Sequence, residues 1–227
     1  MSILTQKTIS KKISVEGIGI HSGLNVKLEI LPSSPNSGIV FKRVDLKKNN
    51  IVIPNFKNVS DSTLYTAISN EYGVKVSTIE HLMAAFYGLS IDNAIVELDS
   101  QEVPALDGSA KNFVELIIEA GYRISDSPIK LIKVEKDVQV EEGSKLISIN
   151  KSNVTMDIDF EIKYENSLIK TQRNKINILE DNLTDIFNSR TYSLYEDIKK
   201  LETLGLGKGG SLENAVIVKG NSILNDG

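Results

Sequence analysis

The 227 residues contain no cysteine. Disulfides, Cys-ligated zinc, iron–sulfur clusters and thiol nucleophiles are thereby excluded. Histidine is almost as scarce. Only His21 and His81 occur, so a three-histidine metal site cannot be drawn from these residues. No apolar run approaches the ~20 residues that a membrane-spanning helix needs, and stable membrane insertion is not expected. Lysines are interspersed with acids, and the net charge of -4 leaves no electrostatic footprint for nucleic acid. The N-terminal stretch Met1–Ser14 alternates polar and apolar residues without the apolar core of a secretory signal. The expectation is a cytoplasmic protein without a nucleic-acid partner. Nothing demands a dimer, so a monomer is expected.

Hydrophobic residues make up 41% and charged residues 25% of the chain, the balance of an ordinary folded protein. The chain is long enough to bury a large core without staples. The clearest break is Ser125-Asp126-Ser127-Pro128, polar and ending in proline, which reads as a linker. It separates a first domain, residues 1–125, from a second, 129–227. In the first, Val26, Leu28 and Ile30 alternate with polar residues at the period of a half-buried strand. Ile39–Arg43, Ile51–Ile53 and Asp92–Leu98 also read as strands. Ile79, Leu82, Met83 and Phe86 form an apolar helical stripe. Ser77-Thr78-Ile79-Glu80 fits a capping box at its start, and Gly88 a stop. A second helix carries Phe113, Leu116, Ile117 and Ala120, with Gly121 as its stop and Asp107 or Ser109 as its cap.

The second segment repeats this style. A hairpin joins Val138 and Val140 to Ile147 and Ile149, and alternation from Met156 to Tyr164 marks a long strand. A short helix is expected over Leu183–Asn188. Another includes Leu194, Ile198 and Leu201 and stops near Gly205, before a strand at Ala215–Val218. Antiparallel strands with few helices indicate an α+β fold.

Three places carry unusual polar chemistry. In Thr78-Ile79-Glu80-His81, a carboxylate adjoins an imidazole at a helix start. Such a pair can serve a metal, with histidine as ligand and glutamate as base on a bound water. Equally, Glu80 sits where a capping box wants a glutamate, and the HExxH spacing is absent. Gly17-Ile18-Gly19-Ile20-His21-Ser22-Gly23 lets backbone approach a ligand closely, or simply turns the chain between two strands. Gly205–Ser211 is glycine-rich with a lysine but lacks the Walker spacing, and a flexible loop after a helix accounts for it.

Together these segments resemble one family, the UDP-3-O-acyl-N-acetylglucosamine deacetylases of lipid A biosynthesis. The resemblance runs through GIGIHSG, SGIVFKRVDL, the long block VSTIEHLMAAFYGLSIDNAIVELDSQEVPALDGSA, NSRTYSL and GLGKGGSLENAVIV. It covers nearly the whole chain. It implies a zinc-dependent hydrolase of a Gram-negative bacterium whose substrate is a small acylated UDP-sugar. By resemblance His81 is the first zinc ligand, Glu80 the general base, and Thr191 a hydroxyl that helps hold the oxyanion. His21 and Asp107 match polar positions near the active-site cleft. Residues 194–218 resemble a βαβ insertion that accepts the acyl chain, with Ile198, Gly210 and Ala215 assigned to its lining. The implied fold is two similar α+β domains with helices sandwiched between outward sheets and zinc at their interface.

One departure stands out. The family draws two further zinc ligands from a late His-Lys-x-x-Asp motif, and a general-acid histidine from beyond it. No histidine follows His81 here. The expectation is a chain lacking the family's C-terminal segment, with an incomplete second domain. It is either the N-terminal part of a zinc deacetylase or an inactive remnant that binds an acyl chain or nucleotide sugar.

Overall fold

A computed structural model describes residues 4–152 and 156–225. Met1–Ile3, part of the N-terminal stretch considered above, lie outside the described residues. The chain divides into two compact units, Met1–Pro128 with Thr184–Gly227, and Ile129–Leu183. The fold is α+β, with several antiparallel sheets and few helices.

The first unit begins with β1 (Thr5–Ile9), β2 (Ile13–Ile18), β3 (Asn25–Pro32), β4 (Ile39–Arg43) and β5 (Ile51–Val52). A small sheet of β6 (Val59–Asp61), β7 (Ala67–Ser69) and β8 (Lys75–Ser77) follows, then α1 (Glu80–Gly88), β9 (Ala94–Leu98), α2 (Lys111–Ala120) and β10 (Tyr122–Pro128). The main sheet has the order β2-β3-β9-β4-β5. Only the β4–β9 pairing within it is parallel. The period-two patterns explain its two faces. Val26, Leu28 and Ile30 of β3, with Ala94, Val96 and Leu98 of β9, are all fully buried. Their polar neighbours face outward, where Lys42 pairs with Glu97 at 2.7 Å and Lys12 with Glu29 at 2.8 Å. Leu82 and Phe86 of α1 and Phe113 and Ile117 of α2 cover the apolar face, in one core with Phe41. Each such fully buried side chain contributes about 1.5–3 kcal/mol.

Both helices end by identifiable devices. Gly121, at φ +69°, stops α2 as expected. For α1 the left-handed residue is Ser90, at φ +56°, rather than Gly88. The Ser90 N–H donates to the Tyr87 carbonyl, and the Ile91 N–H to the Phe86 carbonyl, the paired bonds of a Schellman ending.

Ser125–Pro128 is not a linker but the second half of β10, which pairs with β1. The Ser125 hydroxyl donates to the Gln6 carbonyl, and the Gln6 amide to the Pro128 carbonyl. Both strands lie in a two-stranded sheet, so β10 needs no apolar alternation, and its polar composition conceals it.

After the second unit the chain returns to the first through α3 (Thr184–Asn188), β15 (Tyr192–Leu194), α4 (Ile198–Thr203), β16 (Val216–Lys219) and β17 (Ser222–Ile223). β15 and β16 pair in parallel, with α4 between them in sequence, making a small βαβ unit. Leu194, expected in a helix, closes β15 instead, because its backbone pairs with Val218.

The second unit contains two hairpins, β11 (Val138–Glu142) with β12 (Lys145–Ile149) and β13 (Asp157–Lys163) with β14 (Thr171–Asn177). Val138 opposes Ile149 and Val140 opposes Ile147, which puts four exposed apolar side chains on one face. On the second hairpin the Arg173 guanidinium forks onto both Asp159 oxygens at 2.6 Å and, with Lys175, holds that carboxyl at about 2. Among the described residues, no helix is long and apolar enough to cross a membrane.

Candidate active site

All five polar residues singled out by sequence belong to the first unit, on four segments. His21 lies in the glycine-rich turn between β2 and β3. The turn is closed by the Gly19 N–H donating to the Leu24 carbonyl and the Gly23 N–H donating to the Gly19 carbonyl, each at 2.9 Å. Its ring meets that of Tyr65 at 4.8 Å and 41°. The Tyr65 hydroxyl donates to Asp61 at 2.8 Å and lies 3.0 Å from the Lys75 ammonium. The His21 Nδ1 is buried and makes no hydrogen bond.

Glu80 and His81 open α1, but not through a capping box. The residue flanking the helix is Ile79, and no side chain caps it. Thr78 is in the left-handed region, at φ +56°. Its hydroxyl donates to Glu102 Oε1 at 2.9 Å, and the Ser77 hydroxyl, which the box would use as its cap, donates instead to the Gln101 carbonyl at 3.1 Å. For the β-branched Thr78 that left-handed backbone costs about 1–3 kcal/mol. Glu80 Oε2 accepts the Thr66 N–H at 3.0 Å, so the carboxyl points away from the helix start it was expected to cap.

The two histidines share one carboxylate neighbour, Glu80. Burial pushes His21 below the ordinary histidine value of 6.5, while Glu102 and Glu80 pull it back up and Lys75 adds to the fall. Burial likewise lowers His81, opposed by Glu80 and Asp107. Both imidazoles are therefore neutral near pH 7, the form that accepts a proton or ligates a metal.

Asp107 and Gly108 join this group to Thr191. Asp107 Oδ1 accepts the N–H and hydroxyl of Ser109, and the Ser109 hydroxyl in turn accepts the Lys111 N–H at the start of α2. The Thr191 N–H donates to the Gly108 carbonyl at 2.7 Å, and its carbonyl accepts the Val216 N–H at 2.9 Å. Gly108 has φ +81°, and a Cβ there would collide with the Asn214 carbonyl and crowd Thr191. Arg190 clamps the same junction. Its guanidinium donates to the carbonyls of Asp107 at 2.7 Å, Leu212 at 3.1 Å and Glu213 at 2.6 Å.

The Gly205–Ser211 loop does not cradle a phosphate with its amides. The Gly209 N–H donates to the Ile20 carbonyl and the Lys208 N–H to the His21 carbonyl, so the loop packs on the His21 turn. Ile198 is half-buried on α4, Gly210 is exposed in that loop, and Ala215 is buried just before β16. They stand on three different parts of the βαβ segment.

Two residues that no sequence signal marked prove central. One is Arg190. The other is Glu102, 1% exposed, which accepts from the His21 and Ser22 N–H groups and from Thr78. Each looks like an ordinary loop residue, and only its distant partners reveal it.

A catalytic zinc takes three protein ligands and an open position. Among the described residues, no three His, Cys, Asp or Glu side chains converge to hold a metal ion. The neutral His81 suits one coordination position, but the donor set as a whole falls short of a zinc site.

A family model described as UDP-3-O-acyl N-acetylglycosamine deacetylase matches residues 6–227. A Nautilia profundicola protein named UDP-3-O-acyl-N-acetylglucosamine deacetylase is 40% identical, the match covering 98% of this chain and 75% of the relative. The Myxococcus xanthus protein of that name is 40% identical, with 99% and 71% covered. That of Haemophilus ducreyi is 35% identical, with 99% and 74% covered. The chain thus spans about three quarters of the length of these relatives. With its Glu80–His81 pair, Asp107–Gly108 turn and Arg190–Thr191 clamp in one unit, the chain belongs to the UDP-3-O-acyl N-acetylglycosamine deacetylase family.

Proposed function

We propose that this chain carries the reacting groups of an N-deacetylase that hydrolyses the acetamide of UDP-3-O-acyl-N-acetylglucosamine, in the cytoplasm and in the service of lipid A synthesis. The observation that supports it best is the meeting of Glu80, His81, Asp107 and Thr191 in one unit. Glu80 is the general base. Its Oε2 is steadied by the Thr66 N–H, and Oε1 takes a proton from the attacking water. Oxygen adds to the acetyl carbon, and the Thr191 hydroxyl donates to the oxyanion. The backbone bonds of Thr191 to Gly108 and Val216 hold that hydroxyl in place. Collapse breaks the C–N bond as the proton held by Glu80 is returned to the amine nitrogen, giving acetate and UDP-3-O-acyl-glucosamine with a free amine. His21, neutral and with its buried Nδ1 unpartnered, is assigned to the polar surroundings of the site. The βαβ segment is assigned to the acyl chain, with Ile198, Gly210 and Ala215 in its lining.

Zinc, where bound, would supply Lewis acidity to the water and the acetyl oxygen. His81 is the one ligand proposed from these residues, and the others would come from outside them. That shortfall also favours a second reading, in which the chain binds the acylated nucleotide sugar without hydrolysing it. Acetate release by a preparation in which the remaining zinc ligands are supplied, with and without Glu80→Ala, separates the two. Under the first reading the substitution lowers kcat by about two or more orders of magnitude. Unchanged turnover overturns the assigned base. Binding without acetate release supports the second reading.

A further inference from the structure

Glu102 lies in the segment between β9 and α2 and is almost wholly buried. A polar group so deep must find partners. It finds three donors, all on the segments that carry the site. Oε1 accepts the His21 N–H at 3.0 Å and the Thr78 hydroxyl at 2.9 Å, and Oε2 accepts the Ser22 N–H at 2.7 Å. Thr78 stands two residues before Glu80, in a backbone conformation that its own preferences oppose. One carboxyl thus ties the turn bearing His21 to the turn that launches Glu80 and His81. Around it the backbone is also laced. The Ser77 N–H donates to Gln101, the Val103 N–H to Ser77, and the Ala105 N–H to Ile18. Gly19 completes the arrangement, because a Cβ there would collide with Glu102 Oε2 and the Ser22 hydroxyl.

We propose that Glu102 is a positioning residue, which sets the His21 turn and the Thr78 turn in one register and so fixes both imidazoles relative to Glu80. Its catalytic meaning rests on the reading of Glu80 as the base, but its geometry does not.

The chain has only two histidines, so its ring C–H spectrum contains two sets of signals that single substitutions assign. Glu102→Gln keeps the size of the side chain but turns an N–H2 toward donors. Gly19→Ala leaves the carboxyl intact and pushes it off the loop amides by contact. Asn93→Ala is the control. Asn93 is buried in the same unit, bonded to Gln6 and Gly38 rather than to the site. Expected at fixed neutral pH is displacement of the ring signals of both His21 and His81 in Glu102→Gln and in Gly19→Ala. The Ser22 amide should also lose protection from exchange by about tenfold or more. Asn93→Ala should lower Tm without moving either ring. If both site variants lower Tm like the control and leave the rings where they are, Glu102 is only a core residue and the proposal falls. In an acetate-releasing preparation, kcat should drop at least about tenfold in Glu102→Gln while KM stays within about threefold. Absence of acetate release from wild type with the remaining zinc ligands supplied counts against the proposed reaction, and the ring signals still decide the role of Glu102.

Discussion

Removing the Arg190 guanidinium should undo the docking of the last segment, and the size of the effect follows from its three acceptors. The bond to the Asp107 carbonyl is 2.7 Å long and partly buried, so losing it costs about 1.5 kcal/mol. The Glu213 carbonyl, at 2.6 Å, is exposed and regains water, so its loss costs about 0.5–1 kcal/mol. The Leu212 carbonyl keeps a second donor, the Asn225 amide at 2.6 Å, and adds little. Arg190→Ala should therefore destabilise the first unit by about 2–3 kcal/mol. At about 2–4 °C per kcal/mol for a body of this size, Tm should fall by roughly 4–12 °C. The loss should be local in origin. Hydrogen exchange should accelerate first at the Thr191 and Val216 amides, whose bonds to Gly108 and Thr191 the clamp protects. The interior amides of β9 should change only as far as global stability does. Arg190→Lys should recover at most one of the bonds, since an ammonium has no planar fork. Thermal unfolding by circular dichroism with exchange read by mass spectrometry checks this. A melting point within about 1 °C of wild type, with unchanged exchange at Thr191, would refute the clamp.

Two further outcomes follow from the same geometry. Both histidines lie below 6.5 in the folded chain, so the unfolded chain binds more protons just under that value. Their contribution is present above 6.5 and is lost as the pH falls toward the folded values. The urea midpoint should therefore drop between pH 7.5 and 5.5, and less so in His21→Gln. A midpoint that rises on acidification contradicts the burial of the imidazoles. Calorimetric titration with zinc should give uptake well short of one ion per chain, because no three ligating groups converge among the described residues. Tight one-to-one binding would overturn that count.

Much of the first unit is legible in the sequence where burial is one-sided. β3 and α2 announce themselves because a single core face imposes a period on their side chains, and Gly121 is needed for its left-handed backbone. Legibility fails where the deciding partner is remote. β10 is solvated and pairs with a strand more than a hundred residues earlier, so its polar residues look like a linker. Ser77–Glu80 has the composition of a capping box, but the Ser77 hydroxyl goes to the Gln101 carbonyl and that of Thr78 to a buried carboxyl, remote partners that no local pattern predicts. Leu194 has helical spacing with its followers, yet the parallel partner Val218 claims it for a strand. At the site, Glu80 and His81 are visible as chemistry. Glu102 and Arg190, whose work lies in holding other segments, are not.

The return of residues 184–227 to the first unit has a kinetic consequence. The Arg190 bond to Asp107 joins residues 83 apart in the chain. Closing such a loop costs about 4 kcal/mol of entropy on a logarithmic scale. Asp107 can form its turn early, from neighbours close in sequence. Thr191 can join it only after the intervening residues have been made and Val216 has arrived to fill β16. Thr191 is therefore among the last pieces of the candidate site to assemble during synthesis. Because that cost grows so slowly, doubling the intervening length would add only about 0.6 kcal/mol. The Ile129–Leu183 unit is free to lengthen or shorten in evolution while Thr191 stays bonded to Gly108.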